Sequence, residues 1–199
     1  GVQTYDLFDA FYDVRDKIRI VLVRHEQAAA YMAYGYARST GKVGVFSVVP
    51  GPGVLNTMSA LCTAQGSNVP LVCLTSEIPT DFQGKGRRHL HEIRDQLGTL
   101  RSLIKWAEQC DAPEAAPALV NEAFKQAQSG RPGPVSLQVP WNVLGETGNV
   151  ILLDPEDLTR PAAQADEIAA AADLIAGASA PLIYVGGGAL HAGAEVIEL

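Results

Sequence analysis

Short runs of apolar and β-branched residues alternate along the chain with longer stretches whose apolar positions recur at helical spacing. The short runs lie at residues 18–23, 43–49, 70–75 and 135–139, and the helical stretches at 27–39, 54–65 and 113–129. This alternation predicts an α/β fold, an open parallel sheet with helices on both faces. Residues 1–4 are interpreted as a further strand, followed by an amphipathic helix that begins near Tyr5.

The transition at Thr4 leads us to expect missing residues. A strand at residues 1–4 that runs straight into the helix at Tyr5 leaves no room for a strand-to-helix loop. We therefore expect a segment of the natural protein to be absent between Thr4 and Tyr5.

The pattern weakens after residue 145. Residues 1–145 are predicted to form one domain, and residues 146–165, rich in Gly, Pro, Asp and Thr, a connector. Residues 166–199 follow with a helix over 166–178 and a strand over 181–185. One such α-β unit cannot bury its own faces, so this last part is interpreted as the beginning of a second, incomplete α/β domain.

The helix at residues 113–129 carries the most complete end signals. Asp111 and Glu114 have the spacing of a capping box, and Gly130 follows as a stop signal. We expect this helix to pack on the sheet.

Composition and charge exclude several classes of protein. The chain has 199 residues, of which 47% are hydrophobic, and 15 basic against 22 acidic residues give a net charge of −7. A nucleic-acid partner is not expected, because no segment concentrates basic and aromatic residues. A membrane span is not expected either, because no apolar run approaches the roughly 20 residues that it requires.

The three cysteines, Cys62, Cys73 and Cys110, show no C-x-x-C spacing. Cys73 lies within an apolar run, where a buried thiol is the ordinary expectation. We expect a reduced, cytoplasmic protein.

Candidate chemistry lies where two of the predicted strands end. Glu26 follows the run at residues 18–23, and Pro50-Gly51-Pro52-Gly53 follows the run at 43–49. Because the carboxyl ends of parallel strands share one edge, the two segments are expected to share a crevice. Taken alone, Glu26 is typical of a helix-capping acid and the glycines of a tight turn. Glycines there also let the backbone approach a flat ring.

These two segments, together with Gly130-Arg131-Pro132-Gly133-Pro134-Val135, resemble the pyrimidine-binding domain of thiamine-diphosphate-dependent enzymes of the acetolactate-synthase-like group. The resemblance covers residues 1–145. It implies that Glu26 hydrogen-bonds N1′ of the cofactor's aminopyrimidine and promotes the imino form that activates thiazolium C2. It also implies an apolar pocket that raises the pKa of Glu26. The implied cofactor contacts are Glu26, Pro50, Gly51, Pro52, Gly53 and Asn56.

Three more residues are candidates for contact with the substrate. They are Glu77, His91 and Glu92. His89, His91 and Glu92 also suggest a metal cluster, but a polar loop is the favoured interpretation, since no other ligand is suitably spaced. In the resembled family this loop lies near the active site. Acetolactate synthases typically carry glutamine where this chain has Glu77, and relatives commonly carry serine where it has Pro50.

The resemblance implies an enzyme that cleaves or forms a carbon–carbon bond of a 2-oxo acid, in a homodimer or homotetramer whose active site is shared between subunits. No Gly-Asp-Gly motif occurs in the chain, so Mg²⁺ and the diphosphate are expected on a domain absent from it, and the chain alone is expected to be inactive. FAD is not expected, because Gly186-Gly187-Gly188 matches a dinucleotide loop poorly.

Two alternatives stay open. Ile104-Lys105-Trp106 and Val139-Pro140-Trp141 are similar to segments of benzoylformate-decarboxylase or aldehyde-lyase enzymes. The second alternative is a non-catalytic, lone pyrimidine-binding domain that serves as a partner subunit.

Overall fold

The computed structural model describes residues 1–158 and 161–199. The chain forms two compact units, Gly1–Leu158 and Thr159–Leu199. The first contains a parallel sheet of four strands in the order β1-β2-β4-β3. The strands are β1 (Gly44–Val48), β2 (Leu71–Glu77), β3 (Trp106–Gln109) and β4 (Pro134–Pro140).

Six helices belong to the first unit and two to the second, within the described residues. In the first unit they are α1 (Tyr5–Asp13), α2 (Glu26–Thr40), α3 (Pro52–Gly66), α4 (Gln96–Arg101), α5 (Ala116–Gln128) and α6 (Trp141–Leu144). In the second they are α7 (Ala165–Ala176) and α8 (Gly193–Glu198). Short 3₁₀ turns lie at Pro113–Ala115 and Gly187–Ala189.

Helices cover both faces of the sheet, as the sequence predicts. Alternate residues of β2 point to opposite faces, so Cys73 packs with α2, α3 and α4, whereas Val72 packs with α5. The inner face of α2 is lined by small side chains, which let the helix lie close to the sheet: Ala30, Ala33 and Ala37. The predicted α/β fold class is confirmed. Cys73 is the buried thiol that was expected, and burial raises its pKa to about 12.

The strand predicted at residues 18–23 is wrong. This segment pairs with no strand in the described part of the chain and remains open to water, with Leu22 80% exposed. β-branched residues favour an extended backbone, but a strand also requires a neighbour for its N–H and C=O groups. At this edge β1 is the outermost strand.

Residues 1–4 form a turn and not a strand. The N–H of Thr4 donates to the carbonyl of Gly1 over 3.3 Å, and α1 begins at Tyr5. The helix expected there is present. Because a turn leads directly into a helix, the reason for expecting missing residues between Thr4 and Tyr5 no longer holds.

One strand was not predicted, and two other local expectations are corrected. The sequence did not indicate β3, which is four residues long. No capping box forms at Asp111, because its carboxylate accepts a hydrogen bond from Gln109 Nε2 over 2.7 Å. Residues 181–185 form no strand, since no partner strand lies beside them among the described residues of the second unit.

In residues 1–158 and 161–199, no helix is long and apolar enough to cross a membrane.

Candidate functional site

Glu26 is the first residue of α2 and follows a bend at Arg24 and His25. His25 caps the helix, since its Nδ1 accepts a hydrogen bond from the backbone N–H of Gln27 over 3.1 Å. The carboxylate of Glu26 accepts a hydrogen bond from Asn56 Nδ2 at 3.0 Å on its Oε2 atom. Asn56 lies in the first turns of α3, so this bond joins the beginnings of two helices that are distant in the sequence.

The electrostatic environment of Glu26 differs from the expectation. Its pKa lies below the ordinary value of 4.5, because its own backbone N–H and then the Asn56 amide stabilise the carboxylate, and these effects outweigh burial. The expected apolar pocket with a raised pKa is not present in the first unit, since Glu26 is only partly buried. At neutral pH the Glu26 side chain is therefore an ionised carboxylate that accepts hydrogen bonds.

The glycine loop, Pro50-Gly51-Pro52-Gly53, lies beside Glu26. Gly51 has φ +58°, a conformation that favours glycine, and a Cβ built on it would collide with the backbone carbonyl of His91. A Cβ on Gly53 would lie 2.6 Å from Val49 Cγ2 and 3.7 Å from Glu26 Cγ. Two of these glycines are therefore required by close packing, and they bring the loop against the Glu26 side chain.

The remaining members of the predicted cofactor set have different surroundings. Pro50 is buried, whereas Pro52, the first residue of α3, and Asn56 are exposed. Glu26, Gly53 and Asn56 therefore form one cluster, with Gly51 next to it in the chain.

Gln96, a residue that the sequence did not indicate, holds the glycine loop from the sheet side. Its Oε1 accepts a hydrogen bond from the Gly51 N–H over 2.7 Å. Its Nε2 donates to the carbonyl of Ser76 at 3.0 Å and to Gln138 Oε1 at 3.2 Å. Asp95 before Leu97 and Leu100 is a recognisable helix start, but no local pattern shows that the first glutamine of this helix is buried.

Glu77 ends β2 and is 6% exposed. Burial raises the pKa of its carboxyl to about 7. The backbone N–H of Ile78, which donates to Oε1 over 2.7 Å, opposes this increase. The negative charges of Asp95 and Glu92 add to the increase. Glu77 is therefore close to half protonated at neutral pH. Such a carboxyl at the carboxyl edge of a sheet can exchange a proton with a ligand.

His91 and Glu92 occupy the loop that contacts Gly51. His91 Nδ1 lies 2.9 Å from Oε1 of Gln3, a fully buried residue that the sequence also did not indicate, and burial lowers the pKa of the imidazole. Glu92 Oε2 accepts a hydrogen bond from the His89 N–H over 2.7 Å. The structure therefore brings the His91 backbone to the glycine loop, whereas the Glu92 carboxylate stabilises its own loop.

No metal cluster forms here. Across residues 1–158 and 161–199, no group of three or more His, Cys, Asp or Glu side chains converges on a point where a metal ion could bind. The His89 ring instead stacks on Phe82, with their centroids 4.4 Å apart.

Comparison with known proteins gives the same class of domain. Residues 1–99 match the family model of the thiamine pyrophosphate enzyme, N-terminal TPP binding domain. The chain is 38% identical to an acetolactate synthase of Arthrospira platensis, over all of the chain and 36% of that protein. It is 35% identical to the acetolactate synthase isozyme 3 large subunit of Escherichia coli (strain K12), over 97% of the chain and 34% of that protein.

A third relative is named for a different activity. A "Probable 2-ketoarginine decarboxylase" of Pseudomonas aeruginosa is 35% identical over all of the chain and 36% of its own length. The chain belongs to the thiamine-diphosphate-dependent enzymes of the acetolactate synthase group. It spans about a third of the length of these relatives.

Proposed function

We propose that this chain supplies the pyrimidine-activating half of a thiamine-diphosphate site in an enzyme that acts on 2-oxo acids. Thiamine diphosphate, when bound, supplies a carbon nucleophile for the carbonyl of the 2-oxo acid and accepts the electrons released as CO₂ leaves. Membership of the family and the names of the three relatives support this proposal.

The proximity of Glu26, Gly53 and Asn56 assigns the proposed role to particular residues. Glu26 lies against the glycine loop, since a Cβ at Gly53 would be 3.7 Å from Glu26 Cγ, and Asn56 fixes one carboxylate oxygen at 3.0 Å. A flat aminopyrimidine fits beside this carboxylate, because Glu26 is only partly buried and remains accessible to a ligand. In the proposed complex Glu26 hydrogen-bonds N1′ of the ring.

The lowered pKa of Glu26 fits this role in a specific way. The ionised carboxylate can accept a hydrogen bond, but sharing a proton with a ring nitrogen requires a higher pKa. A ring placed over Glu26 excludes water, and loss of water raises the pKa of a carboxyl. We propose that binding itself brings Glu26 into the range where it exchanges a proton.

The diphosphate and its Mg²⁺ are proposed to bind outside this chain. The described residues contain no cluster of metal ligands, and the whole sequence contains no Gly-Asp-Gly motif. We propose that a separate domain of a partner subunit in a homodimer or homotetramer supplies that half of the site.

The enzyme has two candidate reactions. The first is the joining of two 2-oxo acids by a synthase, and the second is simple decarboxylation. Glu77, a buried carboxyl whose pKa is raised to about 7, can supply a proton to either reaction, because both consume one proton for each CO₂ released. The relatives named as acetolactate synthases support the first candidate, and the relative named as a decarboxylase supports the second.

The proposal is tested with the full gene product that contains this sequence. CO₂ release from pyruvate, 2-oxobutanoate, benzoylformate and 2-ketoarginine is measured with and without thiamine diphosphate and Mg²⁺. We expect cofactor-dependent release from at least one acid, and a loss of about 10²-fold or more in Glu26→Gln. Glu108→Gln, which changes a surface carboxylate paired with Arg101, is the matched control and should retain activity. CO₂ release at the same rate with and without thiamine diphosphate contradicts the proposal. An equal loss of activity in Glu26→Gln and Glu108→Gln also contradicts it.

A further inference from the structure

We propose that Gln96 is a positioning residue, one that holds the glycine loop in the conformation that receives the pyrimidine ring. This inference rests on the proposed function. Gln96 begins α4 and is only 2% exposed, which is unusual for a glutamine. Its Oε1 atom accepts the hydrogen bond from the Gly51 N–H over 2.7 Å.

Gly51 requires such a partner because glycine alone does not fix a loop. Its backbone has φ +58° and ψ −113°, one of several conformations that a residue without Cβ reaches easily. Its N–H is buried, and a buried N–H without an acceptor is costly. The hydrogen bond to Gln96 therefore selects one conformation, while the His91 carbonyl closes the space on the Cα side.

Gln96 is itself fixed by the sheet. Its Nε2 donates to the carbonyl of Ser76 in β2 and to Gln138 Oε1 in β4. Gln138 Nε2 in turn donates to Gln109 Oε1 in β3 over 2.6 Å. Gln96 is thus held by the Ser76 carbonyl of β2, and Gln138 and Gln109 extend the hydrogen-bond network to β4 and β3. Because each amide in such a chain both donates and accepts, a change at Gln96 releases the loop from the sheet.

The same loop leads directly to the Glu26 cluster. Gly53 follows two residues after Gly51, and a Cβ built on it would lie 3.7 Å from Glu26 Cγ; Asn56 lies one turn further along α3. Movement at Gly51 therefore changes both the ring-facing backbone and the distance from Asn56 to the Glu26 carboxylate. Gln96 touches neither Glu26 nor the proposed ring position, so its effect passes through the loop.

The chain offers a matched control. Gln138 is also a glutamine, is also 2% exposed and belongs to the same network, but its side-chain hydrogen bonds go to Gln96 and Gln109 and not to the loop. Replacing either residue removes buried hydrogen bonds, so both variants should lose stability. Only replacement of Gln96 should free the Gly51 N–H.

Gln96→Met, Gln96→Glu and Gln138→Met in the full gene product test the inference with two readouts. The first is hydrogen exchange of the Gly51 amide without cofactor, and the second is the affinity for thiamine diphosphate at saturating Mg²⁺, measured by calorimetry. In Gln96→Met we expect loss of Gly51 protection and about tenfold weaker binding. Gln96→Glu keeps an acceptor for the Gly51 N–H but loses the donor to Ser76 and Gln138, so protection should lie between that of wild type and that of Gln96→Met. Gln138→Met should bind within about twofold of wild type, as expected for a residue outside the loop contact.

The contrary outcomes are distinct. Unchanged affinity in Gln96→Met, or equal weakening in Gln96→Met and Gln138→Met, overturns the positioning role and leaves the proposed function intact. Wild-type protein that does not bind thiamine diphosphate overturns the proposed function, and this inference with it. If Gln96→Met does not fold, Gln96→Asn replaces it, because a side chain one methylene shorter cannot reach Gly51 from the same backbone position.

Discussion

Asn56 Nδ2 lies 3.0 Å from Glu26 Oε2, and this hydrogen bond joins the first residue of α2 to the first turns of α3. Both residues are at least partly open to water, so the bond does not belong to the hydrophobic core. It orients one oxygen of a carboxylate at the edge of the sheet. Asn56 therefore orients the Glu26 carboxylate and adds little to the packing of the core.

Asn56→Ala tests that relationship. Removing the amide should raise the pKa of Glu26 toward 4.5, because a group that stabilises the carboxylate is lost. A lowered pKa stabilises the fold above pH 4.5, and this contribution is lost as the pH falls through the folded-state pKa. The variant should therefore be less stable at pH 7 by about 0.5 kcal/mol, the low end for a hydrogen bond because the pair is exposed.

The two measurements are a ¹³C titration of the Glu26 carboxyl and urea unfolding at pH 7 and pH 3. The stability difference should be present at pH 7 and smaller at pH 3, because protonation of the Glu26 carboxylate removes it. A pKa that does not move would show that Asn56 has no effect on the carboxylate.

Gly51→Ala should destabilise the protein by about 3 kcal/mol. The substitution places a Cβ against the His91 carbonyl and forces alanine into a backbone conformation with φ +58°. Gly35→Ala is the matched control, since no atom lies within 4 Å of its added Cβ and it is exposed in α2. That variant should gain about 0.5–1 kcal/mol from helix propensity. Urea unfolding measures both, and equal effects would mean that the loop can rearrange freely.

Glu77→Gln should stabilise the protein in a pH-dependent manner. The pKa of about 7 lies above the ordinary 4.5, so the folded state resists ionisation that the unfolded state undergoes. Stability is therefore lost as the pH rises from 4.5 to 7 and stays low above that range. Removing the charge should gain up to ~3 kcal/mol at pH 8 and almost nothing at pH 4.

The amide oxygen that Glu77→Gln introduces can still accept the hydrogen bond from the Ile78 N–H, so the fold should not otherwise change. Denaturant unfolding across pH 4–9 gives the difference between variant and wild type. A gain that is the same at every pH would mean that ionisation of Glu77 is not its cause.

The fold follows from the sequence where local pattern and long-range pairing agree. Strands β1, β2 and β4 coincide with apolar runs, and α2, α3 and α5 with helical spacing. The apolar run at residues 18–23 shows the limit, because it looks like a strand but finds no partner in the described chain. The short β3 shows the converse, since pairing with β4 creates a strand that its composition does not indicate.

The site residues are likewise predicted where a local motif defines them and not where distant partners do. Motif spacing predicted Glu26 and the glycine loop, and the structure brings them together with Asn56. Gln96 and Gln3 were not predicted, because a buried glutamine is defined by distant partners and not by its neighbours in sequence. The pKa of Glu26 was predicted in the wrong direction, since burial was assumed where hydrogen bonds dominate.

The central claim is that Glu26 activates bound thiamine diphosphate. Exchange of the thiazolium C2 proton for deuterium, measured by quenched-flow NMR in the full gene product, tests it most directly because no substrate is needed. Glu26→Gln should slow this exchange by at least about 10²-fold relative to wild type, while Glu108→Gln should exchange at the wild-type rate. Exchange in Glu26→Gln as fast as in wild type would remove Glu26 from this role.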